Sequence, residues 1–383
     1  MRVLVAMDSF KGSMTAVAAA RAAEHGVRRA AAERGVEVAV DLCPIADGGE
    51  GTLDTLLAAD STGAARTARV TGPLGEAVDA RWGLLSGGRL GVVEMAEAAG
   101  LTLVPEARRD PTRTTTYGVG ELMRAAIECG VERLMLTLGG SATNDAGCGM
   151  AQALGVGFFD RAGARMAVPI TGGVLGEIGR VDAASRVLGL GEGKFEVACD
   201  VTNPLFGPEG AAAVYGPQKG ATAAQVAALD VGLRHVAGLV AGGGADVPGY
   251  GAAGGAAWGA ACLLGGELRP GIELVLGAVG FDERVRRADV VLTGEGRLDE
   301  QSLSGKATVG VAGAARRAGV ACVALAGGVS GGASGARAFA SAGIGEAVAI
   351  GEGLSVDEAM RRGEELMEVA AAGWLGRWLE THG

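Results

Sequence analysis

From its first residues the chain alternates short apolar runs with longer stretches of helical pattern. Arg2 to Met7 is apolar and too short for a helix, so it predicts a strand. Met14 to Ala32 is rich in alanine, with Arg21, Arg28 and Arg29 on a polar side, and predicts a helix. Glu37 to Cys43 predicts a second strand and Thr52 to Ala59 a second helix. Continuous apolar strands alternating with helices indicate a parallel sheet covered on both faces.

The pattern changes after about Ala64. Ala65 to Val70, Ala77 to Leu85 and Arg89 to Met95 read as consecutive antiparallel strands, with turns marked by Gly72-Pro73 and Gly87-Gly88. Further strands are expected at Arg133 to Leu138, Val156 to Phe159 and Phe195 to Cys199. The strand–helix alternation then returns. Ala288 to Thr293 predicts a strand, followed by a loop from Gly294 to Ser304 and a helix from Lys306. Ala321 to Leu325 and Glu346 to Ile350 predict two more strands, and Asp357 to Glu380 a closing helix. A chain of 383 residues exceeds the usual limit for one core. The simplest account is an α/β protein. Both chain ends, residues 1–66 and 284–383, build a doubly wound parallel-sheet domain, and residues 67–283 form a second α/β domain inserted in the middle.

Composition narrows the function classes. The 69 glycines cluster at the ends of apolar runs, where tight turns and close backbone approaches are made. A net charge of −10, without a basic stripe interleaved with aromatics, argues against a nucleic-acid partner. The six cysteines are widely spaced and include no Cys-x-x-Cys pair, as expected of reduced thiols in a cytoplasmic protein. The N-terminus lacks the charged and apolar regions of a signal peptide, and no apolar run is long enough to span a membrane. His25 and His235 fall in predicted helices and His382 at the chain end, so none is expected to be catalytic.

Ligands of open parallel sheets bind beyond the carboxyl ends of the strands. Three such ends here carry glycine and ionisable groups. Asp8-Ser9-Phe10-Lys11-Gly12-Ser13 precedes a helix, whose free amides and dipole suit an anion. Lys11 adds positive charge, and Ser13 could cap the helix or hold a phosphate oxygen. A plain Ser cap beside a solvated lysine would look the same. Asp47-Gly48-Gly49-Glu50-Gly51-Thr52 offers carboxylates for Mg²⁺ or for a hydroxyl proton, or simply to start a helix. Thr293 to Lys306 gathers Glu295, Arg297, Asp299 and Lys306 in one connection. It is not a P-loop, since Ala307 follows Lys306 and Glu300 stands at the earlier glycine position. Asp299 likewise breaks a dinucleotide fingerprint starting at Gly294, which argues against a nicotinamide-linked hydroxy-acid dehydrogenase.

The middle of the chain adds Leu138 to Gly147, whose glycines, hydroxyls and amide could wrap phosphates or a small polyol acid. Asp200, after a strand, would suit a metal or a substrate hydroxyl, although turn chemistry favours the same residues. Lys219 reads as a phosphate ligand or a surface charge. No His/Cys constellation has zinc spacing, and no Gly-x-Ser-x-Gly elbow marks a hydrolase.

Taken together, five stretches resemble the type 1 glycerate kinase family of bacteria. They are Asp8 to Ser13, Pro44 to Thr52, Gly139 to Gly147, Asp200 to Gly207, and Thr293 to Lys306. The resemblance runs in family order over nearly the whole chain. It implies ATP-dependent phosphorylation of D-glycerate with Mg²⁺, to 2-phosphoglycerate or the 3-phosphate, and an active site in the cleft between two α/β domains. A non-enzymatic sugar-acid sensor would need a DNA-binding or partner module, and none is visible. The expected enzyme is a cytoplasmic monomer or homodimer. Given that chemistry, Asp47 is the expected base, with Asp200 as second choice and Lys11 in the catalytic set. Asp8, Ser9, Ser13 and Arg297 are expected at the glycerate. Gly139, Gly140, Ser141, Thr143, Asn144 and Lys306 are expected at the ATP phosphates, and Glu295 and Asp299 at the metal.

Overall fold

The structure, a computed structural model, describes residues 1–382 except 187–188, 191–192, 242, 244–246 and 304–305. Ser304 and Gly305 of the third loop therefore lie outside the described residues, as do the side chains of Gln301 and His382. The chain divides into two compact units. Residues 1–47, 54–61 and 275–383 form the first, and residues 48–53 and 62–274 the second.

The first unit is a five-stranded sheet in the order Glu346–Ala349, Ala321–Ala326, Val290–Gly294, Arg2–Met7 and Ala39–Leu42. All four pairings are parallel. From Arg2–Met7 the chain steps outward through helix Ala16–Glu33 to Ala39–Leu42. From Val290–Gly294 it steps the other way, through helices Ala307–Ala318 and Gly332–Ala342. The winding thus reverses between Arg2–Met7 and Val290–Gly294, which is where open α/β sheets place their ligands. The strands are apolar because they are covered. Val3, Val5, Val290, Leu292 and Leu325 pack with Ala23, Val27 and Trp374 in one buried cluster. Helices Ala16–Glu33 and Gly363–His382 cross here at backbone distance, and a Cβ on Gly26 would lie 2.2 Å from the Glu368 carbonyl.

The single closing helix expected from Asp357 is instead two, Val356–Arg361 and Gly363–His382. The break falls beside the Met360 carbonyl, which accepts a 2.7 Å hydrogen bond from Ser13 Oγ. That side-chain contact, made across 347 residues of sequence, carries no periodic signal.

The second unit holds a six-stranded sheet in the order Glu267–Arg269, Phe195–Ala198, Arg133–Thr137, Leu90–Glu94, Ala77–Leu85 and Ala64–Thr71. The last three are antiparallel to one another, as the turn residues indicated, and the others pair in parallel. Its core includes Trp82, Leu122, Leu134, Met150 and Trp258. The strand expected at Val156 to Phe159 is Gly157–Asp160, paired with Ile178–Asp182 outside the main sheet.

Candidate active site

Nine of the residues singled out above line one cavity of about 620 Å³ in the first unit. The strand ends explain how they meet. Asp8 N donates to Gly294 O at 2.9 Å, and Ile45 N donates to Met7 O at 2.9 Å. The segments carrying Asp8, Asp47 and Glu295 are thereby tied side by side. The Asp8 carboxylate accepts from Ser9 N at 2.6 Å. Burial pushes the Asp8 carboxyl up to about 7, and the charges of Asp47 and Glu295 add to that push. The Ser9 amide and Lys11 oppose it. Glu295 is 6% exposed, and its Oε1 has no hydrogen-bond partner. Burial raises its pKa, with Ser302, Lys306 and Thr308 working the other way.

The remaining lining residues are placed less uniformly. Lys11 is exposed, and Ser9 and Lys306 are half-buried in the same wall. Lys306 precedes helix Ala307–Ala318 as its N-cap residue. Arg297 is exposed, and its Nε sits 3.4 Å from Asp299 Oδ2, so the expected acid ligand and the expected metal ligand form a pair. Ser13 does not cap the first helix. Thr15 does, its side chain accepting from Ala18 N at 3.1 Å, while Ser13 is committed to Met360. The helix at Thr52 has a carboxylate at its start from elsewhere in the chain. Glu94 accepts there from Gly51 N at 2.8 Å and Leu53 N at 2.9 Å.

Gly139, Gly140, Ser141, Thr143, Asn144 and Asp200 belong to the second unit and are not among the residues lining this cavity. Their loop is organised around two buried charges. Asp145 is fully buried and accepts from Thr116 N, Thr116 Oγ1, Gly147 N and Gly149 N at 2.8–3.2 Å. Burial pushes its carboxyl up, and those four donors pull it back. Lys219 is 2% exposed, so it is not a surface charge. Its Nζ donates to Ser141 Oγ at 2.8 Å and to Thr143 O at 2.7 Å. Burial pulls its pKa down to about 7, with Asp145 opposing.

In the same loop, Thr143 Oγ1 and both amide atoms of Asn144 are buried without a hydrogen-bond partner, as is Thr137 Oγ1 at the end of the preceding strand. Each such group costs about 1–3 kcal/mol, so each calls for a polar partner. Behind the loop, Ala253, Gly254 and Gly255 are all left-handed. A Cβ on Gly254 would lie 2.0 Å from Thr143 O, and Ala146 N donates to Gly254 O at 3.1 Å. Asp200 is exposed, and its Oδ1 accepts from Gly271 N at 2.8 Å, capping helix Gly271–Ala278. His235 Nε2 lies 2.7 Å from Ile178 O, a structural contact.

Among the described residues no group of three or more His, Cys, Asp or Glu side chains has metal-holding geometry. None of their helices is long and apolar enough to cross a membrane. The model of the glycerate kinase family matches residues 3–379. The chain belongs to the glycerate kinase family. A relative named glycerate kinase, from Halalkalibacterium halodurans, is 45% identical over 374 residues, or 96% of each chain. One named glycerate 2-kinase, from Escherichia coli K12, is 43% identical over 321 residues, covering 83% of this chain and 82% of its own. A crystal structure of a candidate glycerate kinase 2 from Salmonella typhimurium LT2 superposes with a TM-score of 0.85 at 37% identity. It covers 100% of this chain and 99% of its own. Family membership therefore rests on the whole α/β chain and not on one loop.

Proposed function

We propose that this chain transfers the γ-phosphoryl group of ATP to D-glycerate and releases ADP and 2-phosphoglycerate. The observation that carries the reading is the gathering of Asp8, Asp47 and Glu295 in one cavity that also contains Lys11 and Lys306. Phosphoryl transfer is mainly positioning and charge neutralisation, and it needs this mixture of carboxylates and cations. The choice of the 2-hydroxyl follows the name of the Escherichia coli relative.

In this reading Asp47 orients the acceptor hydroxyl and takes its proton as the oxygen attacks the γ-phosphorus and the bond to the β-bridging oxygen breaks. Asp8 is the alternative base, because a carboxyl titrating near 7 is well matched to proton transfer at neutral pH. Asp200 is a weaker choice, since it caps a helix. Lys11 and Lys306 hold phosphate oxygens. Mg²⁺ fits the residues present. It binds through one or two carboxylates plus substrate phosphates, and Glu295 offers a buried oxygen with no other partner. Glu295 and Asp299 would hold the ion, which would neutralise phosphate charge.

The test is ADP release by the purified protein with D-glycerate, L-glycerate, glycerol or no acceptor. D-Glycerate should be required, and turnover independent of acceptor would refute the assignment. Phosphorus NMR of the product separates the 2-phosphate from the 3-phosphate.

A further inference from the structure

The cavity of the first unit is far larger than a three-carbon acid. It measures about 620 Å³, whereas one water occupies about 30 Å³ of the liquid. Glycerate would displace only a few waters. Cavities of about 300–1,000 Å³ suit ligands of drug or nucleotide size.

The lining also changes chemistry in the order of the strands. The edge strand Glu346–Ala349 is followed by Ile350, Leu354, Val356 and Met360. Its neighbour Ala321–Ala326 is followed by Gly327 and Gly328. Val290–Gly294 and Arg2–Met7 then bring the carboxylates and Lys11 at the reversal of winding. A ligand lying across these strand ends meets apolar side chains, then glycine backbone, then charge. That is the sequence of base, sugar and polyphosphate. Phe10 and Met14 add to the apolar wall, and the Ser13–Met360 hydrogen bond ties it to the charged loop. The partnerless buried Glu295 oxygen marks the charged part independently.

We propose that this cavity is the ATP site, with the purine against Leu354, Val356 and Met360 and the triphosphate directed to Lys11 and Lys306. The proposal rests on the kinase reading. It moves Ser9, Ser13 and Arg297 from the acid to the nucleotide. Bare triphosphate would be repelled by the three carboxylates, so the ligand is the magnesium complex.

Calorimetry with the β,γ-imido analogue of ATP and Mg²⁺, on the full chain, tests this without any acceptor. Val356→Glu is informative because Val356 is 74% exposed and its replacement does not disturb the core. Leu354→Glu probes the same wall from a half-buried position. Both should weaken the analogue roughly tenfold or more, about 1.4 kcal/mol, with the glycerate KM nearly unchanged. Unchanged analogue affinity in both variants, or no binding by the parent protein, overturns the proposal. Labelling with 8-azido-ATP should modify peptides spanning residues 8–14 or 350–360, and label confined to residues 62–274 also overturns it. Analogue binding without glycerate-dependent turnover would refute the proposed reaction and leave the nucleotide site standing.

Discussion

Lys11 and Lys219 each stand beside a glycine, and each reads in the sequence as a positive charge that could meet an anion, Lys219 alternatively as a surface charge. Their surroundings differ in every physical respect. Lys11 is exposed on the wall of an open cavity where the charges of Asp47 and Glu295 act on Asp8. Lys219 is shut inside the second unit, donating to Ser141 and to the Thr143 carbonyl. The first arrangement leaves charge available to a ligand. The second spends its charge on the shape of a loop, and leaves only the neighbouring hydroxyls and amide unsatisfied. The difference separates a charge left open to a ligand from a charge committed to holding a loop.

Four substitutions would break or sharpen that contrast. Asp47→Asn should have the largest effect, a fall of roughly 10²–10⁴ in turnover as expected for loss of a general base. KM should change little, and ADP-release kinetics decide it. A near-normal rate would move the base role to Asp8. Lys219→Met should act through the fold. Removing charged hydrogen bonds costs about 1.5–3 kcal/mol each, offset in part by release of a buried charge. Calorimetric melting should show a net loss, together with slower turnover that Lys219→Arg does not restore. The lowered Lys219 pKa penalises the ammonium in the folded state. The parent protein therefore loses stability as pH falls from 10.5 towards about 7, and the Met variant should lack that component.

Asp8→Asn should act on stability in the opposite direction. The folded-state carboxyl titrates near 7 against an ordinary 3.8, so its favourable contribution is complete below 3.8 and is lost as pH rises through 7. The Asn variant should melt higher than the parent at pH 8 and about equally at pH 4, and a reversed order would contradict the carboxylate cluster. Asn144→Ala should be the mildest for the fold. Its amide has no hydrogen bond to lose, so melting should hardly move. A large drop in melting temperature would show that the amide already has a partner.

Much of the first unit was legible from its sequence because its strands are continuous apolar runs and its ligand groups sit at their ends. The bounds expected for Arg2 to Met7 and Thr52 to Ala59 match the structure. The cavity's apolar wall was not legible. Leu354, Val356 and Met360 look like any amphipathic helix start, and only the strand order makes them lining. In the second unit the loop Leu138 to Gly147 stood out through its residue types, but the burial of Lys219 did not. It depends on contacts more than 70 residues away. Glu94 was missed for the same reason, since it caps a helix start over 40 residues upstream. Short edge strands such as Glu267–Arg269 carry too few residues to show a period.

The left-handed run Ala253–Gly255 has a practical consequence for anyone wishing to exchange the loop it supports. Gly254 rests on the Thr143 carbonyl so closely that no side chain fits between them, and the Ala146 amide is bonded to its oxygen. A chimaera that imports residues 139–147 from a relative without residues 253–255 would set a new loop on the wrong support. The two segments, more than 100 positions apart in the chain, have to be exchanged as one cassette.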